Sequence, residues 1–387
     1  MTAPVDAAPL PRDALAAVLD PESTGTMLPQ GAYTAPDVLA WEQEHFFARS
    51  WVCVGRGTDL AAPGARTAVR SGREGILLVR TGDGTLRGFF NVCRHRGHEL
   101  LACGVQATRT SIACPYHAWT YDLEGQLVNT PRYEAPDDFD PAAFGLVPAR
   151  VEEWHGWVFV NASGDAAPLS EHMGSFDALV APYRPERLVV GARHDYTLHA
   201  NWKLAIENYH ECYHCPAIHP ELCAVSPPTS GEDFEITGLA SGGTMDLVPD
   251  AVTMSLTGAS PIAPLPGLGP EHQREVLYSG VFPNLLISLH PDYVMTHRIE
   301  PVAPDVSQVE CTWLFDPAAV ADPAFDPGFA ADFWDITNRQ DWAACESVQR
   351  GISTRGYRPG PFSREESGVQ AFTTQVARGY LTGEVRP

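Results

Sequence analysis

No stretch of this chain approaches the roughly 18 consecutive apolar residues that a membrane-spanning helix needs; its apolar runs at 75–79 and 284–289 are strand-sized. Positive charge is scarce. Over 387 residues, 26 Lys and Arg stand against 48 Asp and Glu, a formal charge of −22. Such a surface repels phosphate backbones and anionic membranes, which excludes nucleic acid and membrane as bulk partners, and it favours cationic ligands by long-range steering. Residues 1–20 contain Pro and Asp but neither a basic n-region nor an apolar h-region, so no signal peptide and a cytoplasmic location are expected. The chain also lacks a plant-type four-cysteine ferredoxin run and any Gly-x-Gly-x-x-Gly, and so has no ferredoxin or flavin domain of its own. Apolar residues make up 44%, enough for a packed core.

The nine cysteines are odd in number and follow no signal sequence, so a disulfide framework is not expected, and metal or free-thiol use is. Cys93 and Cys114 each have a histidine within three residues. Cys212, Cys215 and Cys223 fall in a second His-rich stretch. Cys53, Cys103, Cys311 and Cys345 have no such company and read as small buried hydrophobes.

Residues 1–45 read as an arm expected to pack on the C-terminal domain, with one helix near 12–19 and the start of a short helix at 41–50. Residues 46–165 show short strands with Gly punctuation. Strands at 75–80 and 85–91 flank Gly82-Asp83-Gly84, a hairpin signal; 112–113, 118–121, 126–128 and 156–161 are further strands of an all-β module. From 166 to 387 the character changes to α+β. A strand at 188–198 precedes a helical run at 201–214, where Trp202, Ile206, Tyr209 and Tyr213 recur at three- and four-residue steps. Long loops with at most a strand or two cover 222–275. Antiparallel strands follow at 276–283, 285–289, 293–301 and 308–315, then helices at 330–349 and 372–381.

Asn91-Val92-Cys93-Arg94-His95-Arg96-Gly97 carries Cys-x-His, and Cys114-Pro115-Tyr116-His117 carries Cys-x-x-His. Each pair sits at a strand end, so two loops can face one another. Two thiolates and two imidazoles can hold one zinc tetrahedrally. They can equally hold a two-iron, two-sulfide cluster, with the cysteines on one iron and the histidines on the other.

At these residues the sequence resembles the oxygenase α subunits of Rieske non-haem iron oxygenases, whose pattern is Asn-x-Cys-x-His-Arg-Gly followed by Cys-x-Tyr-His-x-Trp-x-Tyr. Asn91 to Gly97 and Cys114 to Tyr121 match it; Ala118 stands where glycine is usual. The resemblance implies an all-β Rieske [2Fe-2S] domain and a catalytic domain whose antiparallel sheet wraps around a long helix (a helix-grip, START-like fold). It covers about 41–383.

Oxygen activation needs an iron with open positions, and two histidines with one carboxylate is the common solution. Glu211 and His214 are three apart and would share a helix face. His214 and His219 are five apart, and Pro216 would end the helix so that the chain turns His219 back. His210 reads as a surface or supporting residue. In the helix at 330–349 an apolar stripe runs through Trp334, Thr337, Ala344 and Val348, and Asp341 falls on it; a carboxylate there needs a cation or strong partner. Asp332, Asp335 and Glu346 lie off the stripe. The family places its carboxylate ligand eight residues before the Gln of Gln-x-Gly, as Asp341 stands before Gln349-Arg350-Gly351.

Within the family, Asn201-Trp202-Lys203 and the Glu211-Cys212-Tyr213-His214 run are similar to the choline, glycine betaine, stachydrine and carnitine oxygenases. The resemblance implies cluster ligands Cys93, His95, Cys114 and His117, and a mononuclear Fe(II) on His214, His219 and Asp341. Electrons from NAD(P)H would arrive through a flavin and iron–sulfur reductase, with or without a ferredoxin. In the family's homotrimer, Glu211 would link His214 to His117 of a neighbouring subunit. The implied reaction uses O2 to demethylate or hydroxylate a small quaternary ammonium substrate. The alternatives are an aromatic ring-hydroxylating dioxygenase α subunit and a zinc-stabilised binding protein without redox chemistry. The aromatics Tyr278, Phe282, Tyr293 and Trp313 cannot be placed from sequence.

Overall fold

The computed structural model describes residues 7–20 and 25–386. The first six residues, part of the stretch read as lacking a signal peptide, lie outside the described residues. Two compact units emerge: Gln43–Leu169, and Met1–Glu42 with Ser170–Pro387.

The first unit is built on a seven-stranded antiparallel sheet with spatial order Val52–Arg56, Trp157–Asn161, Pro148–Trp154, Leu86–Phe90, Glu74–Arg80, Ala65–Ser71 and Gln106–Thr108. A small three-stranded sheet, Ile112–Ala113, Thr120–Tyr121 and Leu127–Asn129, accompanies it. The hairpin expected around Gly82-Asp83-Gly84 forms, with Gly84 at φ +87°, a backbone region open to glycine at no steric cost. Leu77, Val79 and Phe89 of the large sheet pack with Ile112, Trp119, Tyr121 and Leu127, and the same core takes in Cys93 and Cys114.

The second unit holds a seven-stranded antiparallel sheet ordered Val189–Leu198, Val306–Phe315, Val294–Ala303, Leu285–Leu289, Glu275–Val281, Ala240–Asp246 and Glu232–Asp233. Leu285–Leu289 is buried at every position, as a near-continuous apolar strand must be. The helix Gly328–Ile352 packs Ala330, Phe333 and Trp334 against Tyr293, Met295, Trp313 and Phe315 of the sheet. The terminal helix, expected at 372–381, begins earlier and spans Ser367–Thr382. Strands Glu232–Asp233 and Ala240–Asp246 are the two strands that the loop-rich stretch 222–275 contains, within the strand or two expected there.

The helix Trp202–Tyr209 is capped by Asn201, whose side chain accepts from the Lys203 N–H. Lys203, the one lysine in the sequence, is fully buried, and its Nζ lies 2.5 Å from Glu42 Oε1. Glu42 also accepts from Trp202 Nε1 at 2.8 Å and from the Tyr380 hydroxyl. One turn on, Tyr33 OH donates to Glu207 Oε1 at 2.8 Å. Burial lifts Glu207 to about 8 against the opposing pull of Tyr33 and Lys203, and burial lowers Lys203. The arm and the C-terminal helix are thus tied to the helix that leads into the His-rich run.

Candidate active site

In the first unit, Cys93 and Cys114 each open a tight turn. Gly97 N–H returns to Cys93 O, and Ala118 N–H to Cys114 O, both at 3.0 Å. Gly97 (φ +71°) and Ala118 (φ +58°) close the two turns in the same left-handed conformation. That is why glycine is usual at the second position, and Ala118 holds the conformation with a strained Cβ. The two cysteines are buried, at 2% and 4% exposure, while His95 and His117 lie outward with ring centroids 4.8 Å apart. Trp119 stacks on His95 at 4.7 Å. Burial raises the Cys114 thiol, with neighbouring Cys93 adding to it. Partial desolvation lowers His117, and His95 and Arg96 reinforce this, favouring the neutral, ligating form.

No three of these four residues bring donor atoms within 4.8 Å of one another, so they do not form the compact cage of a single zinc. Two buried thiols behind two outward imidazoles fit a two-iron cluster. The Tyr121 hydroxyl, which no spacing in the sequence marks for a role, also meets the cluster loop. It lies 3.3 Å from Cys93 Sγ and accepts from Arg94 N–H at 3.0 Å. Burial, then Cys93, raises its pKa, so it stays a donor to the sulfur. Hydrogen bonds of this kind tune a cluster's potential.

In the second unit the expected helix through His214 ends at Tyr209. Glu211 and His214 therefore share a turn rather than a helix face. The Glu211 carboxylate ends the helix by taking the Tyr213 N–H, and it accepts His214 N–H at 3.2 Å. Its other oxygen takes His214 Nδ1–H. Pro216 does not end a helix either. It sits in the first turn of Cys215–Ile218, where a missing N–H costs nothing, and Pro220 opens Pro220–Val225 in the same way. His219 is the hinge between these two short helices.

The hinge brings His219 Nε2 to 3.2 Å from His214 Nε2 and 2.8 Å from Asp341 Oδ1, and His214 Nε2 to 3.3 Å from Asp341 Oδ1. Among the described residues this is the one group of three His, Cys, Asp or Glu with donor atoms within 4.8 Å. Both imidazoles are oriented from behind. Glu211 takes the Nδ1–H of His214, and Gln340 Oε1 takes that of His219 at 2.7 Å. Each Nε2 is left facing the centre, the arrangement that carries a ligating histidine. Gln340, itself donating to Glu221 at 3.2 Å, was not singled out from sequence, although it adjoins Asp341. Burial would raise Asp341, but hydrogen bonds from His214 and His219 outweigh it and hold the carboxyl below its usual range. The donor set fits one divalent iron with open positions.

The rival carboxylates stand elsewhere. Asp335 accepts from Tyr196 OH at 2.8 Å and pairs with Arg339 at 2.7 Å, and Glu346 accepts His199 N–H at 3.1 Å. The apolar stripe drawn through Val348 is corrected, since Val348 is exposed and Cys345, Gln349 and Ile352 are buried. A seven-residue step falls about 20° short of two turns, so the buried line drifts off it. His210 is a satisfied structural group, bonded to Ile206 O at 2.7 Å and Ser241 Oγ at 2.9 Å. Cys212 and Cys215, expected as thiols or ligands, are joined by a disulfide, with Cα atoms 4.9 Å apart.

A cavity of about 490 Å³ opens at His214, His219 and Asp341. Tyr209, Tyr278 and Trp334 give it aromatic walls; Glu232, Asp233 and Glu365 add carboxylates, and Arg364 is the one Lys or Arg in the lining. Of the four aromatics left unplaced by sequence, Tyr278 alone lines it; Phe282, Tyr293 and Trp313 are buried in the core. No helix among the described residues is long and apolar enough to cross a membrane.

Comparison with known proteins agrees with this geometry. Residues 50–144 match the model of the Rieske [2Fe-2S] domain, and 185–382 that of the ring hydroxylating alpha subunit (catalytic domain). The chain is 31% identical over 390 residues to the glycine betaine monooxygenase oxygenase subunit of Chromohalobacter salexigens, covering 93% of this chain and 87% of that one. It is 39% identical over 194 residues to the carnitine monooxygenase oxygenase subunit of Acinetobacter pittii, covering 50% of this chain and 52% of that one. The crystal structure of the quaternary ammonium Rieske monooxygenase CntA with its substrate L-carnitine superposes with a TM-score of 0.78 at 27% identity, over 96% of this chain and 99% of that one. With a Rieske [2Fe-2S] domain, the catalytic domain of mononuclear iron oxygenases and a relative matched almost end to end, the chain belongs to the Rieske non-haem iron oxygenases, as an oxygenase α subunit.

Proposed function

We propose that this oxygenase acts on a small quaternary ammonium compound, hydroxylating an N-methyl group or a neighbouring carbon. The carrying observation is the cavity wall, with three aromatic side chains and, besides Glu211 and Asp341, three further carboxylates against one arginine. Aromatic faces attract a desolvated ammonium, and the carboxylates repel an anionic aromatic acid. Relatives are named for glycine betaine and carnitine.

His214, His219 and Asp341 would hold the iron, and Cys93, His95, Cys114 and His117 the cluster. Iron so held, fed electrons through the cluster, supplies the oxygen-activating chemistry. Glu211 and Gln340 fix the imidazoles, and Tyr278 and Trp334 place the cationic head against the open side. On an N-methyl group the reaction consumes O2, two electrons and two protons and gives a hemiaminal and water. The hemiaminal collapses to the demethylated amine, formaldehyde and a proton. A flavin and iron–sulfur reductase supplies the electrons, in the cytoplasm, and a homotrimer lets Glu211 connect His214 to His117 of the next subunit.

The test is oxygen uptake and formaldehyde release with a reductase, across betaines, carnitine, choline and aromatic acids. Formaldehyde from a trimethylammonium compound is the expected result. A cis-diol from an arene, with no amine accepted, would overturn the reading.

A further inference from the structure

Trp342 directly follows the donor Asp341 in the helix Gly328–Ile352, yet takes no part in the proposed chemistry. Successive helix residues point about 100° apart. While Asp341 meets the two histidines, Trp342 lines an outer groove together with Tyr196, Asp335 and Arg339. Its ring centroid lies 5.9 Å from that of Tyr196 and 6.1 Å from that of His297, and His297 lies 6.1 Å from Tyr209 of the cavity wall. These are contact separations for aromatic rings, so an unbroken row of rings leads from the cavity to the groove. At its outer end, half-buried Tyr196 donates its hydroxyl proton to Asp335 Oδ1 at 2.8 Å, with His194 Nδ1 at 3.2 Å from the same oxygen. A phenol gives up an electron readily only where a base takes its proton, because the oxidised phenol is a strong acid. The two tyrosines of the cavity wall lack such a base. Tyr209 OH meets the Ile287 carbonyl and the Ser288 hydroxyl, both at 2.8 Å, and Tyr278 OH is buried with no partner among the described residues. Burial would raise Asp335, but Arg339 and the Tyr196 bond outweigh it and keep the carboxyl low; an oxidised phenol is acidic enough to protonate it all the same.

We propose that Tyr196, with Trp342 as its relay and Asp335 as its proton acceptor, is a redox outlet that draws off oxidising equivalents arising at the mononuclear site when no substrate fills the cavity. This rests on the reading of His214, His219 and Asp341 as the metal site. In each transfer one electron leaves Tyr196 through Trp342 and one proton passes to Asp335, which leaves a neutral phenoxyl radical. The buried indole N–H of Trp342 has no partner to take its proton, so the ring hands the charge on instead of keeping it. A reductant at the groove, such as ascorbate, restores the phenol with one electron and one proton, and Asp335 returns its proton to water. Two transfers, with two protons from water, take one hydrogen peroxide to two waters. Without the outlet the same equivalents would act on Tyr209, Tyr278 and Trp334 around the site.

The test loads the full-length protein with Fe(II) at the mononuclear site, keeps its cluster oxidised and so silent in electron paramagnetic resonance, and adds hydrogen peroxide without substrate before rapid freezing. A radical signal near the free-electron position should appear, and it should narrow in protein grown on ring-deuterated tyrosine. Tyr196→Phe should lose the signal, Asp335→Asn should weaken it and Trp342→Phe should slow its appearance. In Tyr196→Phe, oxygen addition to Tyr209, Tyr278 and Trp334, read by peptide mass spectrometry, should rise above wild type. The same signal in Tyr196→Phe, or no radical from iron-loaded protein that consumes peroxide, would overturn the proposal while leaving the metal site standing. Fe(II) bound no more tightly by wild type than by Asp341→Ala would overturn the metal-site reading, and this proposal with it.

Discussion

Metal uptake at the His214 site should expel a proton. In the metal-free protein, desolvation alone would lower His214, but the carboxylates of Asp341 and Glu211 outweigh it and raise the imidazolium to about 9. A ligating nitrogen must be neutral. At pH 7 the group lies about two units below its pKa, so roughly one site in a hundred is ready, and deprotonation costs about 2.7 kcal/mol of binding free energy. Asp341, held below its usual range by the two histidines, brings no proton. The apparent affinity should therefore rise about tenfold per pH unit from 7 to 9 and flatten above 9. Calorimetric titration of the chelator-stripped protein with Co(II), with the Cys212–Cys215 bond intact and in buffers of different ionisation enthalpy, counts the released protons. About one per ion at pH 7, falling toward zero above pH 10, is expected. The same shift acts on folding. Because the folded pKa lies above the unfolded value near 6.5, its contribution to the stripped protein's stability is complete below about 6.5 and lost as pH rises through 9. Uptake at pH 7 without proton release would refute the argument that the two carboxylates govern His214.

The two iron sites should separate by mutation: Cys93→Ala or His117→Ala should abolish the red-brown colour, whereas Asp341→Ala should lose one iron and catalysis while the colour stays; stoichiometric zinc without sulfide would contradict the first. Glu211→Gln can serve either the His214 ring or the Tyr213 and His214 amides, not both, so product should fall at least about tenfold, and rapid mixing with substrate and oxygen should find the cluster staying reduced. Reoxidation at the wild-type rate would reduce Glu211 to a turn-forming group. Lys203→Met leaves Glu42 buried without its cation and should cost about 3–5 kcal/mol in denaturant unfolding, part of it recovered by adding Glu42→Gln. Ala118→Gly removes a Cβ held at φ +58° and should raise stability by about 1 kcal/mol; a loss would show that the methyl group packs usefully.

The sequence made the candidate metal donors legible wherever they lie close along the chain. Cys93 with His95, Cys114 with His117, and His214 with His219 carry their own spacing. Asp341 was reached through helical period, which held over the stretch from Trp334 and failed by Val348. The period at 201–214 misled differently. Tyr213 continues the spacing of Tyr209 but is 57% exposed, because a side-chain carboxylate competes successfully for the helix's next amides. The contacts of Gln340 and Tyr121 reach across 121 and 28 residues; Tyr121 closes a motif, but neither partner can be read from local spacing. The cavity wall was the least visible part, since strand Ala240–Asp246 pairs along its length with Glu275–Val281 in a Gly- and Ser-rich stretch where a strand or two is expected but not located.

Lys203 has a practical consequence outside catalysis. The sequence contains no second lysine, and this one is fully enclosed, so the folded protein shows amine-seeking reagents no side-chain amine at all. Labelling at position 203 therefore marks only molecules whose Trp202–Tyr209 segment has opened, and the extent of labelling over time is a clock for that opening. The residue that fastens the arm to this helix also reports when the fastening fails.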